Sequence, residues 1–250
     1  MKTPGTGRRA SADPFAAVPH RSPAVWLPGR RWNGLTVLDC FCCQGGAGMG
    51  YHLAGYRVLG VDMAEQPRYP FAFVQGDAVA FIRRWGYLFD LLHSSPPCQR
   101  YTRCQKIQGR EHPDLIAPTR TALQTTGRPW VIENVEEART ELHDPVELCG
   151  AAFGLRTYRH RLFETSRGFT VTVPPHPEHT APNAKMGRPV GGNEYMHVVG
   201  NFSGVPLARQ IMQMPWANRD GLREAIPPAY THHIGTQAAA LLTGQSRAAA

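Results

Sequence analysis

Short apolar runs alternate with helix-compatible segments along most of the chain after residue 34. Four of these runs consist mainly of aliphatic and aromatic residues and end in polar or glycine-rich turns; they cover residues 35–39, 57–62, 88–93 and 129–133. Short apolar runs bounded by turn residues predict buried strands. Because helix-compatible segments separate them, we expect an α/β fold with a largely parallel sheet and helices on both faces.

The rest of the pattern predicts smaller segments around this main domain. Residues 1–33 are rich in Pro, Arg, Ala and Gly without periodicity, which predicts a disordered basic arm. Pro, His, Gly and Asn dominate residues 174–193, which predicts a loop-rich insert. A helical run at 207–214 and a segment at 226–242 are expected to follow, the latter packing back on the sheet. We therefore expect five segments, with boundaries at 1–33, 34–164, 165–205, 206–243 and a frayed tail at 244–250.

Length and charge limit the classes of protein to which the chain can belong. With 250 residues, 42% of them hydrophobic, it can form one well-buried domain. Lys and Arg number 27 against 19 Asp and Glu, and the formal charge of +8 favours a polyanionic partner such as nucleic acid. We find no apolar stretch of membrane-spanning length and no secretory signal, so we expect a cytoplasmic protein without membrane association.

Six cysteines are present, and Cys40, Cys42 and Cys43 crowd together after the first predicted strand. Crowded cysteines rarely form a disulfide framework, which favours a reducing compartment. A zinc site at this cluster is an alternative, but we identify no second Cys or His pair at a metal-ligand spacing. We therefore expect no metal.

Glycines fill the turn after the first predicted strand, which ends at Asp39 and continues as FCCQGGAGMG over residues 41–50. Such a turn lets the backbone approach a nucleotide-like cofactor closely, although a merely tight turn is the alternative. Asp62 ends the next strand, where a carboxylate can accept hydrogen bonds from ribose hydroxyls, and Asp77 can meet an adenine amino group. Because the turn has no Lys or Arg to neutralise a pyrophosphate, the pattern favours S-adenosylmethionine over a dinucleotide.

The sequence SSPPCQ over residues 94–99 directly follows the third apolar run. Two prolines fix the backbone and present the thiol of Cys98 at the carboxyl end of a strand, where doubly wound folds keep their active sites. This pattern predicts a nucleophilic cysteine, with a buried structural cysteine as the alternative.

Charged residues near the ends of the following strands are further candidates for the functional site. Glu133 ends the fourth run, where an acid can protonate or hydrogen-bond a ring nitrogen; a helix N-cap is the alternative. Arg159 and Arg161 alternate, so an extended strand would direct both guanidinium groups to phosphates or a base carbonyl. A solvated charged edge would have the same pattern.

Taken in order, these motifs resemble those of the DNA cytosine-5 methyltransferase family, in particular its short phage-type members. The similarity covers about residues 36–164 and 205–240, and Pro-Pro-Cys-Gln together with Glu-Asn-Val is highly specific. It implies a Rossmann-like S-adenosylmethionine-dependent methyltransferase fold. Residues 34–164 and 206–243 would form the catalytic, cofactor-binding domain, and 165–205 a short target-recognition insert with a short or relaxed target sequence.

The resemblance also implies the role of each site residue. Cys98 carries over as the nucleophile, Glu133 as its acidic partner, and Arg159 with Arg161 as contacts to a flipped nucleotide. The sequence IPPAY at 226–230 is similar to the family's last motif, which packs against the cofactor. The implied cofactor contacts are Asp39, Phe41, Cys42, Gly45, Gly46, Asp62, Met63, Asp77, Pro97 and Ala225.

Four residues at three sites depart from the family pattern. Cys43 stands where the family usually has Gly, and Thr157 replaces the Gln that often precedes the two arginines. Arg223 and Glu224 replace a common Gly-Asn ahead of the last motif.

The activity implied is methyl transfer to carbon 5 of cytosine in duplex DNA, through a covalent Cys98 adduct on a flipped base. We expect a monomer with an arginine-rich, DNA-facing loop at 100–110; the sequence does not determine whether a restriction endonuclease partner exists. One alternative is the same chemistry on tRNA, and another is a non-catalytic nucleic-acid-binding module. A dinucleotide-dependent oxidoreductase is the third, but it leaves Pro-Pro-Cys-Gln unexplained.

Overall fold

One seven-stranded sheet forms the centre of the molecule. The structure is a computed structural model that describes residues 13–22, 30–97, 114–185 and 187–244. The strands are β1 Thr36–Cys40, β2 Arg57–Asp62, β3 Ala72–Gln75, β4 Leu91–Ser94, β5 Trp130–Asn134, β6 Val146–Leu148 and β7 Arg161–Thr165. Their order in the sheet is β3-β2-β1-β4-β5-β7-β6. Strands β3, β2, β1, β4 and β5 are parallel, and β7 runs antiparallel to both β5 and β6.

The described helices cover both faces of this sheet. The α-helices are α1 Pro14–Ala17, α2 Gly46–Leu53, α3 Ala78–Trp85, α4 Ile116–Thr125, α5 Val205–Ile211, α6 Arg219–Glu224 and α7 Pro228–Thr243. Short 3-10 helices lie at Gly86–Leu88, Glu136–Glu141 and Gly150–Phe153. Apolar residues of α2 and α7 share one core with the sheet, and those of α3 and α4 share the other. The expected α/β architecture, including the return of 226–242 to the sheet, is therefore confirmed.

The predicted strands match the observed ones closely, with two shifts. The third run was expected at 88–93, but its first residue, Leu88, ends the 3-10 helix Gly86–Leu88, and β4 covers Leu91–Ser94. The helical run expected at 207–214 begins earlier, at Val205, and ends at Ile211. Phe89, Met212 and Met214 are nevertheless buried, although they lie outside β4 and α5.

The basic arm expected at 1–33 is wrong for its described part. Residues 14–17 form α1, whose N-cap is the Asp13 carboxylate, and Arg21 pairs with Phe73 at the β3 edge of the sheet. The Arg21 guanidinium also lies over the Phe73 ring, 5.2 Å from its centroid. A cation on an aromatic face and two backbone hydrogen bonds offset the ordering entropy that composition alone predicts to dominate.

The insert expected at 165–205 has almost no regular structure in its described residues. After β7 ends at Thr165, the described residues form no helix or strand before α5, and one isolated bridge joins Asn183 to Tyr195. Its later residues Met196, Val198 and Phe202 pack in a third apolar cluster with α5 and α6. The boundaries of the five segments remain predictions. None of the helices in the described ranges combines the length and the hydropathy needed to cross a lipid bilayer.

Glycines allow α2 to pack closely against the C-terminal segment. A Cβ at Gly46 would lie 2.3 Å from the Ile226 carbonyl oxygen, and a Cβ at Gly50 would lie 2.1 Å from the Pro228 carbonyl oxygen. The Thr231 hydroxyl donates to the Ala47 carbonyl oxygen at 2.7 Å. Contacts this short require glycine at both positions, because the Ile226 and Pro228 carbonyl oxygens are backbone atoms that cannot turn away.

We expect Gly50→Ala to lower the free energy of unfolding by roughly 1–3 kcal/mol or more, since the added methyl forces α2 and α7 apart. Gly192→Ala is the control, because a Cβ there meets no atom within 4 Å. Urea denaturation followed by circular dichroism measures both variants. Equal stability of the two variants would contradict the close-packing explanation.

Candidate active site

The candidate site residues gather at the carboxyl edge of the parallel strands. Asp39, Asp62 and Glu133 lie at or near the ends of β1, β2 and β5, and the described residues 95–97 continue from β4. Strands β1 and β4 are neighbours whose connections lead to opposite sides of the sheet. A crevice opens at such a switch point, where open α/β sheets bind their ligands.

The turn after β1 has a strained backbone. Phe41 and Cys43 have φ values of +57° and +44°, in the left-handed region that favours glycine. The Cys43 amide donates to Asp62 Oδ2 at 3.0 Å, and the Cys42 amide donates to the Val61 carbonyl oxygen. Cys43 therefore adopts a backbone conformation that favours glycine, and a carboxylate from β2 holds it there.

Gly45 and Gly46, expected to approach a cofactor, are needed first for packing. Gly45 has a φ of +83°, and a Cβ there would lie 2.9 Å from the Pro70 ring. A Cβ at Gly46 would lie 3.0 Å from the Ala225 side chain in addition to the Ile226 carbonyl oxygen. Ala225 is buried in this contact. The protein's own backbone thus accounts for these glycines, and their contact with a cofactor remains a prediction.

Asp39 is a buried carboxylate with incomplete hydrogen bonding. Its Oδ2 accepts a hydrogen bond from the Tyr69 hydroxyl at 3.0 Å, whereas its Oδ1 has no partner among the described residues. Burial raises the Asp39 pKa to about 8, with a smaller contribution from the negative charge of Asp62. An unpartnered buried oxygen costs about 1–3 kcal/mol, so this position suits a cationic ligand group.

Asp62, Met63 and Asp77 surround the end of β2. The Asp62 carboxylate accepts the Cys43 and Ala64 amides, which fixes its orientation. Met63 leaves 63% of its surface exposed although it is apolar. Asp77 is exposed and caps α3 by accepting the Ala80 amide at 2.7 Å. The structure thus places two acids and an apolar side chain beside the turn.

Glu133 forms a buried ion pair at the end of β5. Its Oε1 lies 3.1 Å from Arg161 Nε, and the two side chains are 8% and 13% exposed. Burial raises the Glu133 pKa, while Arg161, a hydrogen bond from Ser95 and the charge of Arg159 oppose that rise. A carboxyl with a raised pKa holds a proton to higher pH than an exposed one and can serve as a proton donor.

A chain of buried hydrogen bonds leads to Glu133. Tyr51 Oη lies 3.0 Å from His93 Nδ1, and His93 Nε2 lies 3.0 Å from Ser95 Oγ. Burial lowers the His93 pKa to about 3, so the imidazole is neutral and has one N–H. If the Tyr51 hydroxyl donates to Nδ1, then Nε2–H donates to Ser95, which donates to Glu133. All three donors then point toward the carboxylate.

The roles of Tyr51, His93 and Ser95 in positioning Glu133 were not predicted from the sequence. His93 is the last residue of the third predicted run, and a histidine inside an apolar run is a weak signal of a buried polar network. Asn134 follows Glu133, and its Nδ2 donates to the Pro96 carbonyl oxygen at 2.9 Å. Asn134 therefore holds the backbone that leads through Pro97 toward Cys98. Cys98 and the arginine-rich loop at 100–110 lie outside the described residues.

Arg159 does not point outward beside Arg161 as expected from strand alternation. It has a φ of +35°, and β7 begins only at Arg161. Its guanidinium is buried and donates to the carbonyl oxygens of Ala225 and Val198 at 2.8 and 2.6 Å. The end of α6 leaves carbonyl groups without helical partners, and a guanidinium with five N–H groups satisfies them.

Two of the departures from the family pattern contact each other. The Cys43 thiol lies 3.4 Å from Glu224 Oε2, which ties the turn after β1 to the end of α6. Gln44 strengthens the same contact, because its side chain pairs with Asn218 and its carbonyl oxygen accepts the Trp216 indole N–H. The third, Thr157, is buried beside Gly150, where a Cβ would lie 2.2 Å from the Thr157 carbonyl oxygen.

The structure brings together potential metal ligands that were not predicted from the sequence. One cysteine and three histidines place their ligand atoms within 4.8 Å of one another; they are Cys149, His160, His176 and His179. His176 and His179 stand three residues apart, but this spacing was not used to predict a metal site. Cys40, Cys42 and Cys43 belong to none of the candidate metal groups in the described part of the chain.

Comparison with solved structures confirms the Rossmann-like methyltransferase fold. The chain aligns with an E. coli prophage protein to which DNA modification methyltransferase activity has been ascribed, at 14% identity and a TM-score of 0.56, covering 84% of this chain and 99% of that one. The S. pombe Dnmt2 methyltransferase aligns at 18% identity and a TM-score of 0.38, covering 52% of this chain and 48% of that one. No protein-family model and no curated protein sequence matches the chain.

We expect Asp39→Asn to stabilise the cofactor-free protein at pH 7.5 but not at pH 4. The folded-state pKa of about 8 lies above the usual 3.8, so ionisation of the unfolded chain lowers stability as pH rises between these values. The amide removes that loss. Thermal denaturation from pH 4 to 8 measures the difference, and the exposed Asp77→Asn should follow the unmodified protein. An unchanged pH dependence in Asp39→Asn would show that burial does not perturb this carboxyl.

Proposed function

We propose that the protein transfers a methyl group from S-adenosylmethionine to carbon 5 of cytosine in DNA. The observation that carries this proposal is the buried Glu133–Arg161 pair, which lies beside the Pro96-Pro97 backbone that Asn134 holds. A proton-holding carboxyl next to the segment that presents a cysteine is the arrangement required to activate a pyrimidine ring. The formal charge of +8 favours a nucleic-acid substrate.

The residues around the turn after β1 fit the cofactor. Asp39 has a buried oxygen without a partner, which suits the amino group at the methionine end. Asp62 is oriented toward the turn and suits the ribose hydroxyls, while exposed Met63 and Asp77 suit the adenine. When bound, S-adenosylmethionine supplies an electrophilic methyl group on a sulfonium sulfur.

Cys98 would act as the nucleophile because cytosine carbon 5 is too weak a nucleophile on its own. Its thiolate adds to carbon 6, and the electron pair of the 5,6 double bond becomes available at carbon 5. After carbon 5 has gained the methyl group, it loses its proton and Cys98 leaves with the electrons of its bond to carbon 6. The double bond and the free thiolate are then restored. The base must leave the helical stack, at a cost of a few kcal/mol.

Glu133 would stabilise the base while Cys98 adds to it. Its raised pKa allows the carboxyl to donate a proton to ring nitrogen 3, where negative charge develops. Arg161 fixes the carboxyl from one side and Ser95 from the other. Arg159 holds the turn before β7 and thereby positions Arg161, and its direct contact with a nucleotide stays a prediction.

We expect Ser95→Ala to shift the pH profile of methylation upward. Its hydroxyl lowers the Glu133 pKa, so removing it leaves Glu133 protonated to higher pH, and the decline in kcat at alkaline pH should begin later. Ser94→Ala is the matched control, since Ser94 is also buried but lies outside the hydrogen-bonded chain. An identical pH profile for Ser95→Ala and the unmodified protein would contradict the role of the chain.

We expect the full chain to form a denaturation-resistant adduct with DNA that contains 5-fluorocytosine. After methyl transfer, fluorine at carbon 5 cannot leave as a proton does, so Cys98 stays bonded to carbon 6. A pool of duplexes of random sequence, with every cytosine replaced, removes the need to know the target. Denaturing electrophoresis with labelled S-adenosylmethionine detects the adduct.

Cys98→Ser should abolish trapping while leaving S-adenosylmethionine binding intact, and Cys104→Ser is the control from the same segment. An adduct that maps to another cysteine would overturn the assignment of the nucleophile. A parallel arm uses tRNA that contains 5-fluorocytosine. Trapping on tRNA alone would make RNA the substrate, and trapping on neither polymer with the cofactor bound would overturn the proposed chemistry.

A further inference from the structure

The antiparallel pair β6–β7 brings a cysteine and a histidine together. Leu148 pairs with Arg161, so the next residues outward, Cys149 and His160, lie opposite each other. The Gly150 amide donates to the Tyr158 carbonyl oxygen at 2.6 Å and continues the pairing past them. Neighbouring positions on paired strands keep a fixed separation, so these two side chains are held together before any ligand binds.

Two histidines from the insert complete the group. The sequence His-Pro-Glu-His places His176 and His179 three residues apart. His179 Nε2 lies 3.5 Å from Cys149 Sγ, and His176 Nε2 lies 3.1 Å from His160 Nε2. Ligands of a tetrahedral zinc ion, at about 2.0–2.3 Å from the metal, are roughly 3.3–3.7 Å apart. The observed separations are therefore close to those of a coordination shell.

The groups around these side chains orient them as metal ligands. His160 Nδ1 lies 3.3 Å from Glu136 Oε2, which leaves Nε2 directed at the cluster. A carboxylate on the outer nitrogen of a ligating histidine is the usual support for a metal site. The backbone amides of Ala151 and Ala152 donate hydrogen bonds to the Cys149 sulfur and hold it in place. The Tyr158 ring stacks on His179 with centroids 3.6 Å apart.

We propose that Cys149, His160, His176 and His179 form a structural zinc site. One thiolate and three imidazoles match the ligand preference of Zn²⁺, and four protein ligands leave no open position for substrate. On binding, Cys149 loses its proton to solvent and each imidazole offers a lone pair. The site lies at the β6–β7 edge of the sheet, whereas the turn after β1 lies at its centre.

The insert needs such a link because its residues 172–183 have no core of their own. None of the residues 172–183 is buried, and they form no helix or strand. Without buried apolar surface, hydrophobic burial cannot offset the entropy of ordering this segment. A metal bound by His176 and His179 from the segment, and by Cys149 and His160 from the sheet, would fix the insert to the domain.

The test uses the untagged full chain. Elemental analysis should find one zinc ion per chain, and chelation should remove it. The zinc-free protein should then bind Co²⁺ with visible bands of tetrahedral coordination and a thiolate-to-cobalt absorption. Limited proteolysis within 172–183 should become at least ten times faster without zinc. Circular dichroism of the sheet and helices should change little, because the apolar cores do not include this segment.

His176→Ala and His179→Ala should each weaken Co²⁺ binding at least tenfold; both residues are exposed, so the variants should fold. Cys149→Ser should abolish the thiolate absorption. His143→Ala, an exposed histidine outside the cluster, is the matched control. Absence of bound zinc together with a cobalt spectrum lacking the thiolate absorption would overturn the proposal. Full zinc content in His176→Ala and His179→Ala would do the same.

Discussion

The site is built on the close contact between the backbone of α2 and the backbone of the C-terminal segment. Gly46 and Gly50 lie about one helical turn apart, and each faces a carbonyl oxygen at a distance that excludes a side chain. This approach brings Trp216 and Asn218 onto Gln44, so the turn after β1 is held from outside the sheet. The glycine pattern that suggests a ligand is therefore also a requirement of packing.

The same C-terminal segment controls the position of the acid. The carbonyl oxygen of Ala225 accepts the buried Arg159 guanidinium, and the Tyr230 hydroxyl donates to the Arg159 carbonyl oxygen at 2.8 Å. These contacts hold the left-handed turn from which β7 begins, and β7 begins with Arg161, the partner of Glu133. A change in the last motif can therefore alter the Glu133–Arg161 pair without touching it.

Local sequence patterns predicted the features of the fold that depend on residues close together in the chain. The four apolar runs predicted the positions of four strands to within a few residues. A parallel sheet that is buried on both faces requires such continuous apolar runs. The local pattern could not predict that Arg159 turns inward, since the carbonyl groups of Val198 and Ala225 that it satisfies are 39 and 66 residues away. The same holds for His176 and His179, whose partners are set by the β6–β7 register. Residues 13–22 of the predicted arm are ordered because Arg21 contacts Phe73 in the folded sheet, a contact that composition does not show.

Burial affects the three polar groups of the centre in different ways, and the difference bears on their roles. The His93 imidazole stays neutral, and its ring is one link in the hydrogen-bonded chain that leads to Glu133. Glu133 keeps a raised pKa but has compensating partners in Arg161 and Ser95, so it is already organised for a base. Asp39 accepts hydrogen bonds from Tyr69 and the Gly48 backbone, but its Oδ1 has no partner among the described residues, so its burial costs stability until a donor arrives. A cation that binds there recovers that cost, which couples ligand affinity to the stability of the fold.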